Sequence, residues 1–382
     1  QVEAMSERAG LEMMRMAVEQ ERAYLTEVSG KSCYKWGSQP GFAVLGGRKV
    51  EFPNLRVRAK NGKKEIPLES YAAFQNNGDM SRRAMRDLMR GVSARNYEEG
   101  VEGMLSGYGV KKSSVSRQFI AASAVKLKEL MERDLADLNI AVVFIDGVGF
   151  ADNLLVAAIG VDSGGNKHPL GLWQGATENS TVCKALLEDM IRRGLDPHKK
   201  YLFVIDGSKA LRSAVKHCFA ERALVHRCQQ HKRQNVADHL PDHLAPEFRR
   251  RMNAAYAMTG HEDALKALQD CARDLDKINP SAAASLREGM EETITLHRLG
   301  LPDALRKSLS TTNLIESPFS FVRQKTGRVK RWRGADQAQR GTASALLLAE
   351  KSWRRIRGYT LMPELLEALG REPVEKSDGL KK

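Results

Sequence analysis

The chain has 382 residues, 42% of them hydrophobic and 28% charged, an ordinary globular balance that excludes a disordered chain. No run of about 18 apolar residues offers a membrane span, and 61 Lys and Arg against 47 Asp and Glu leave a formal net charge of +14, so the expected partner is a polyanion and not a membrane. Five cysteines (Cys33, Cys183, Cys218, Cys228, Cys271) form no CxxC pair, and the start shows no signal-type n-region and h-region, as expected of a reducing, intracellular compartment.

In chain order, Ser6 to Val28 places Met13, Met14, Met16, Val18 and Leu25 at helix-compatible spacing without an internal proline. Gly41 to Val57 then alternates apolar and polar residues around Gly46-Gly47, which predicts a β-hairpin, so residues 1–75 read as a helix with a small β element. Residues 76–137 follow. A short helix pattern from Tyr97 to Leu105 breaks at Gly107-Tyr108-Gly109, and a second helix is predicted near Ser113. Lys111, Lys112, Ser114 and Arg117 at its start fit a helix-turn-helix that offers polar groups to DNA; a plain helical hairpin is the alternative.

Residues 138–239 differ in kind. Ala141 to Val148, Leu154 to Asp162 and His168 to Gly175 are apolar, β-branched-rich runs joined by short polar turns, which predicts an antiparallel meander. A helix over Ser180 to Arg193, a strand over Tyr201 to Ile205, a helix over Ser208 to Phe219 and a strand over Ala223 to Val225 complete the order βββαβαβ. That α/β order is the one expected of a ribonuclease H-like core. Over 240–305 only helical spacing remains, for example Leu265, Leu268, Cys271 and Leu275, which predicts an all-helical insertion. The core is expected to resume over 306–360, with basic C-terminal helices, before a tail over 361–382. Val322 to Arg357 holds eleven Lys and Arg against Asp336 and Glu350. Within it Arg323, Arg328, Lys330, Arg331 and Arg333 surround Trp332, and an aromatic among guanidiniums supplies a stacking surface as well as charge.

Two of the predicted strands run into the same tripeptide, Ile145-Asp146-Gly147 and Ile205-Asp206-Gly207. A carboxylate at the end of an apolar strand is costly unless it is solvated or binds something. Two on neighbouring strands present hard oxygen ligands suited to Mg2+ or Mn2+, and two ions ~3.5–4 Å apart can stabilise the attacking and leaving oxygens of a phosphodiester. A strand-ending Asp that merely caps a turn is the plain alternative for either taken singly.

These two sites, with His226-Arg227-Cys228-Gln229-Gln230-His231-Lys232-Arg233-Gln234-Asn235 and Thr311-Thr312-Asn313-Leu314-Ile315-Glu316-Ser317, resemble the Mutator-type family of bacterial insertion-sequence transposases, collinearly from about Asn96 to Gly358. The resemblance implies a DDE triad of Asp146, Asp206 and Glu316 around two Mg2+ or Mn2+ ions. It also implies a homodimer acting on double-stranded DNA, both terminal inverted repeats and target, in a bacterial cytoplasm at the nucleoid. Asn313-x-x-Glu316 is equally the pattern of a capping box, and Pro318, best tolerated in a first turn, sets Glu316 at or just before a helix start.

Cys228-x-x-His231 shows one knuckle where structural zinc needs two. The resemblance implies a place near the active site for it; the plain alternative buries Cys228 at a helix start with His231, Lys232 and Arg233 facing outward. No GxxxxGK[ST], GxGxxG, GxSxG or HExxH motif is present. The expectation is a DNA transposase that hydrolyses and transfers strands. A non-joining nuclease on the same core and an inactive, domesticated DNA-binding repressor are the rivals.

Overall fold

The computed structural model describes residues 2–28, 33–45, 48–60, 64–75, 112–150, 153–175, 179–326 and 335–372. The chain divides into two compact units, Gln1–Val125 and Lys126–Lys382.

In the first unit, α1 (Val2–Ala23) ends in a π-helical turn (Tyr24–Val28), so the predicted helix is present and starts earlier than its apolar spacing indicated. Five strands follow: β1 (Cys33–Gln39), β2 (Phe42–Leu45), β3 (Arg48–Glu51), β4 (Asn54–Ala59) and β5 (Glu65–Ile66), then α2 (Glu69–Phe74). β2 and β3 form the expected hairpin, but it stops at Glu51. Pro53 has no N–H for a ladder, and β4 pairs instead with β1 and β5 in a separate three-stranded sheet. Val18, Ala43, Val50, Phe52, Val57 and Tyr71 form the shared core. The Glu21 carboxylate accepts from the free N–H groups of Glu69 (2.7 Å) and Ser70 (2.9 Å), an anion at the start of α2 supplied by α1.

α3 (Lys112–Met131) contains the boundary between the units. The second unit is built on β6 (Ile140–Phe150), β7 (Asn153–Asp162), β8 (Lys167–Gly175), β9 (Tyr201–Ile205) and β10 (Ala223–Arg227), in the sheet order β10-β9-β6-β7-β8. β6, β7 and β8 form the predicted antiparallel meander; β9 and β10 run parallel to β6. α4 (Ser180–Arg192) and α5 (Lys209–Phe219) cover one face, packing on Val143, Ile145, Val156, Leu170 and Phe203. The alternate residues Val142, Phe144, Ala157, Ile159 and Val204 are equally buried on the other face. A strand covered on both faces is apolar throughout, which is why these runs lack alternation.

β10 extends to Arg227, two residues beyond expectation, and leads into α6 (Gln229–Ala237). Helices alone follow: α7 (Ala245–Ala257), α8 (His261–Asp276), α9 (Pro280–Arg287), α10 (Met290–Thr293), α11 (Thr295–Arg298) and α12 (Asp303–Leu309). Residues from Val236 to Ile294 share a separate hydrophobic cluster that includes Phe248, Met252, Leu268 and Leu286. α13 (Asn313–Thr326) packs on β6, and α14 (Ala335–Glu350) on β8, before the short α15 (Met362–Ala368).

A half-buried ion cluster fastens α14 to the meander. Arg133 holds Glu350 through two bonds of 2.7 and 2.8 Å, and His168 lies 2.9 Å from Asp162 and 3.5 Å from Glu350. The hydrogen bond to Asp162, then that to Glu350, outweighs burial and holds the His168 imidazole up at about 9. For both carboxylates burial is the largest influence and raises them, yet the hydrogen bonds and charges around them leave both below their ordinary values. A ring whose folded value lies above its free value of 6.5 stabilises fully below that pH, and the contribution is lost as pH rises through about 9. His168→Gln should therefore cost on the order of 1–3 kcal/mol in urea unfolding near pH 6. The gap to wild type should close near pH 10; a constant gap would disprove the charged pair.

Candidate functional site

The parallel ladder pairs Val142 with Leu202 through Ile145 with Ile205, so Asp146 and Asp206 stand one residue beyond its last pair, at the same end of adjacent strands. Clefts for ligands form at the carboxyl ends of parallel strands. The two differ in their surroundings. β6 does not end at Asp146, as expected, but runs on to Phe150 because β7 continues to pair with it. Asp146 is only 9% exposed and accepts from the Gly147 N–H at 2.9 Å. β9 does end at Ile205; the Asp206 carboxylate accepts from the Ser208 N–H at 2.8 Å, and Ser208 caps α5 by accepting from Leu211 at 3.3 Å.

α13 brings Glu316. The helix begins at Asn313, with the Thr312 carbonyl accepting from Ile315 and Glu316. Thr312 and not Asn313 is thus the N-cap, and Glu316 lies in the first turn, not before it. Pro318 sits in the second turn, deeper than expected, with its ring buried; its missing N–H leaves the Leu314 carbonyl without its helical donor. The Glu316 carboxylate does not reach back to the backbone as in a capping box. It accepts from the Thr312 hydroxyl at 2.8 Å and lies 3.8 Å from His231 Nε2.

Thr312 joins the two halves of the site. Its single hydroxyl proton goes to Glu316, the shortest contact, leaving its oxygen to face His231 Nδ1 at 3.4 Å, while its backbone N–H points at Cys228 Sγ at 3.4 Å. Burial raises the Cys228 thiol, but hydrogen bonds with His231 and Thr312 outweigh it and leave the thiol below its ordinary value. The hydrogen bond to Cys228 is also the largest influence on His231, held up at about 9 with help from the charges of Asp146 and Asp206. Burial first, then the charge of Asp206, pushes the Asp146 carboxyl up to about 7; Glu316 adds to the rise, and His231 and the Gly147 N–H oppose it.

The three acids and His231 therefore share one electrostatic neighbourhood. Hard carboxylate oxygens of like charge in one neighbourhood suit a divalent cation in donor chemistry. Among the described residues, no three His, Cys, Asp or Glu side chains close around a single point as they stand.

The segment around Cys228 is mainly a fastener. His226 is fully buried and held down to about 4, chiefly by burial, so its neutral ring donates to the Ser310 carbonyl at 3.3 Å. Gln229 reaches the Ser310 carbonyl through its backbone N–H and the Thr293 carbonyl through its side chain, both at 2.9 Å. Lys232 does not face outward: it is wholly buried and donates to the Ser285 (2.6 Å) and Glu288 carbonyls at the end of α9, where a cation meets the negative pole of a helix. Arg227 donates to the same Glu288 carbonyl (3.1 Å) and to its carboxylate (3.2 Å). It also lies against Gly207, where φ is +111° and a Cβ would come within 2.1 Å of Arg227 Nε. Arg227 thereby backs the loop carrying Asp206, and Thr312 backs Glu316. Neither carries a signal in sequence beyond lying inside a quoted motif.

Tyr97 to Gly109 and Lys111 lie outside the described residues, as do Arg328, Lys330, Arg331, Trp332 and Arg333. Lys112, Ser114 and Arg117 fall in the first half of α3 and Arg323 in α13; their side chains lie outside what is described.

Residues 68–355 match the family described as Transposase, Mutator family, and the chain belongs to that family. It is similar to the transposase for insertion sequence element IST2 of Acidithiobacillus ferrooxidans, 27% identical over 46% of this chain and 58% of the relative. It is also similar to the transposase for insertion sequence element ISRM5 of Rhizobium meliloti (strain 1021), 26% identical over 73% of this chain and 70% of the relative, and to a probable insertion-sequence transposase of Corynebacterium diphtheriae, 27% identical over 47% and 52%. The chain thus spans little more than half the length of two of these relatives. No helix among the described residues is long and apolar enough to cross a membrane.

Gly207→Ala should cost about 1–3 kcal/mol, from the left-handed backbone and from the Arg227 clash. In an Arg227→Ala background the clash disappears and the backbone penalty stays, so a urea-unfolding double-mutant cycle should show a coupling of ~1 kcal/mol. Strictly additive costs would separate Arg227 from the Asp206 loop.

Proposed function

We propose that the chain is a DDE transposase that cuts DNA at the ends of an insertion sequence and joins the freed ends to target DNA. The observation that carries this reading is the register of Asp146 and Asp206 just past the end of the parallel β6–β9 ladder, with Glu316 delivered to the same neighbourhood by α13. The sheet order, a three-stranded meander followed by two parallel strands on the far side of its first strand, supports a ribonuclease H-like core. Membership in the Mutator family supports DNA as substrate, and the formal charge of +14 suits a polyanion.

In this reading Asp146, Asp206 and Glu316 hold two Mg2+ or Mn2+ ions, which when bound would neutralise the three carboxylates and supply Lewis acidity toward a phosphodiester. Thr312 orients the Glu316 carboxylate through its hydroxyl, the Ser208 N–H fixes one oxygen of Asp206, and the Gly147 N–H fixes one of Asp146. His231, held cationic by Cys228 and the acids, balances negative charge beside the scissile phosphate. Water hydrolyses a P–O bond at the element end and leaves a 3′-hydroxyl; that hydroxyl forms a new P–O bond in target DNA as the target's own 3′-oxygen leaves. No covalent enzyme intermediate is needed. The helix-turn-helix over 76–137 would select terminal inverted repeats, and a homodimer would pair the two ends.

Asp146→Asn, Asp206→Asn and Glu316→Gln keep shape and remove charge. Each should lower cleavage of element-end duplexes, and joining of precut ends, by at least about 100-fold while duplex binding persists. Asp146→Asn should also leave the unfolding midpoint at pH 8 unchanged or raised, since one of three converging charges is gone. An active Glu316→Gln variant would remove the third acid from the mechanism, and cutting without joining of precut ends would favour a simple nuclease.

A further inference from the structure

The first unit has a face that the proposed mechanism leaves unused. Along β4, Leu55 and Val57 point into the core, so Arg56 and Arg58 occupy the opposite face of the three-stranded sheet. Tyr34 of β1 pairs with Arg58 across the ladder, and Trp36 and Gly37, where φ is +84°, lie in the irregularity between Lys35 and Ser38. The aromatic rings of Tyr34 and Trp36 meet edge to face with centroids 5.8 Å apart, and the Arg58 guanidinium lies 3.9 Å over the Trp36 ring. Trp36 remains 41% exposed.

An exposed tryptophan on a sheet face does no work for the core of its own unit. A guanidinium stacked on it is held flat, with less rotamer freedom to lose when its in-plane N–H groups meet an anion. Beside it Arg56 forms a two-bond pair with Glu65 of β5 at 2.8 and 2.6 Å. On the neighbouring hairpin Lys49 lies 3.8 Å over the Phe42 ring, a second cation on an aromatic support. Residues 30–65 hold nine Lys and Arg against Glu51 and Glu65, so this short stretch carries half of the chain's formal charge of +14.

We propose that the outer face formed by Tyr34, Trp36, Arg56 and Arg58 grips the phosphate backbone of duplex DNA, independently of sequence and separately from the helix-turn-helix. The partner's identity rests on the DNA-handling reading above; the surface itself does not. Arg58 supplies the charge, Trp36 sets its orientation, and Glu65 restrains the face by occupying Arg56. Phosphate contacts of this kind position a protein on DNA without reading bases.

The test measures full-chain binding to a labelled random duplex of about 30 base pairs across a salt series. Arg58→Ala should weaken binding about 3- to 10-fold and lower the log–log salt slope by about one unit. Trp36→Ala should weaken binding with little change of slope, because the charge remains. Glu65→Gln should tighten binding about 2- to 5-fold by releasing Arg56, a gain that misfolding cannot produce. Binding by all three variants equal to wild type would overturn the assignment, as would better competition by an RNA duplex of equal length. No cleavage is scored, so failure of the three-acid mechanism leaves this result standing. A wild-type chain that binds no duplex at about 50 mM salt would end both readings.

Discussion

Like-charge repulsion at the end of the β6–β9 ladder is the constraint around which the second unit is arranged. Ladder register sets Asp146 beside the end of β9, where Asp206 follows, and Asp146 cannot move away without unpairing β6 from β7. The burial that makes the strands stable is also the largest influence raising the Asp146 carboxyl. Such a site persists only if its surroundings are stiffer than the repulsion is strong. The contacts of residues 226–232 provide that stiffness: a neutral buried histidine, a helix start whose first N–H meets the Ser310 carbonyl, and two cations drawn onto one helix terminus.

How much of this was legible in the chain follows from what each residue does. The five strands of the large sheet were readable because burial on both faces leaves an unbroken apolar run that few other structures tolerate. Asp146 and Asp206 stood out by repetition of Ile-Asp-Gly. Glu316 did not separate from a capping residue by pattern, since both roles put an acid in the first turn; the Thr312 hydroxyl distinguishes them, and a hydroxyl's partner is a tertiary fact. The plain alternative, with Lys232 facing outward, fails for a general reason: lysines are almost never fully buried, and the two carbonyls that accept from this one lie more than fifty residues away. Pro318 falls beyond the first turn, where local rules disfavour it. In the first unit the expected hairpin ran on through Pro53 to Val57, whereas the pairing of β2 with β3 stops at Glu51 and the return of β4 to β1 depends on pairing across the whole β element.

Family membership and geometry bear on different questions. Membership in the Mutator family indicates what kind of molecule this is; the hydrogen-bond chain from Cys228 through His231 and Thr312 to Glu316 indicates how a distant segment is held in place. The cysteine therefore has a structural explanation that needs no metal: its sulfur accepts from Thr312 and pairs with His231.

The order of elements also bears on synthesis. Strands β6 to β10 are complete by Arg227, but Glu316 lies in α13, which follows the whole run of helices from α6 to α12. As a chain emerges from its N-terminal end, the five strands and two of the acids are made before the third acid and before the helices that pack on β6 and β8. A nascent or prematurely terminated product would carry the strands and two of the carboxylates but neither the third acid nor the helices that pack on β6 and β8. The long sequence separation, costly in loop-closure entropy, thus makes completion of the site a late event in the life of each molecule.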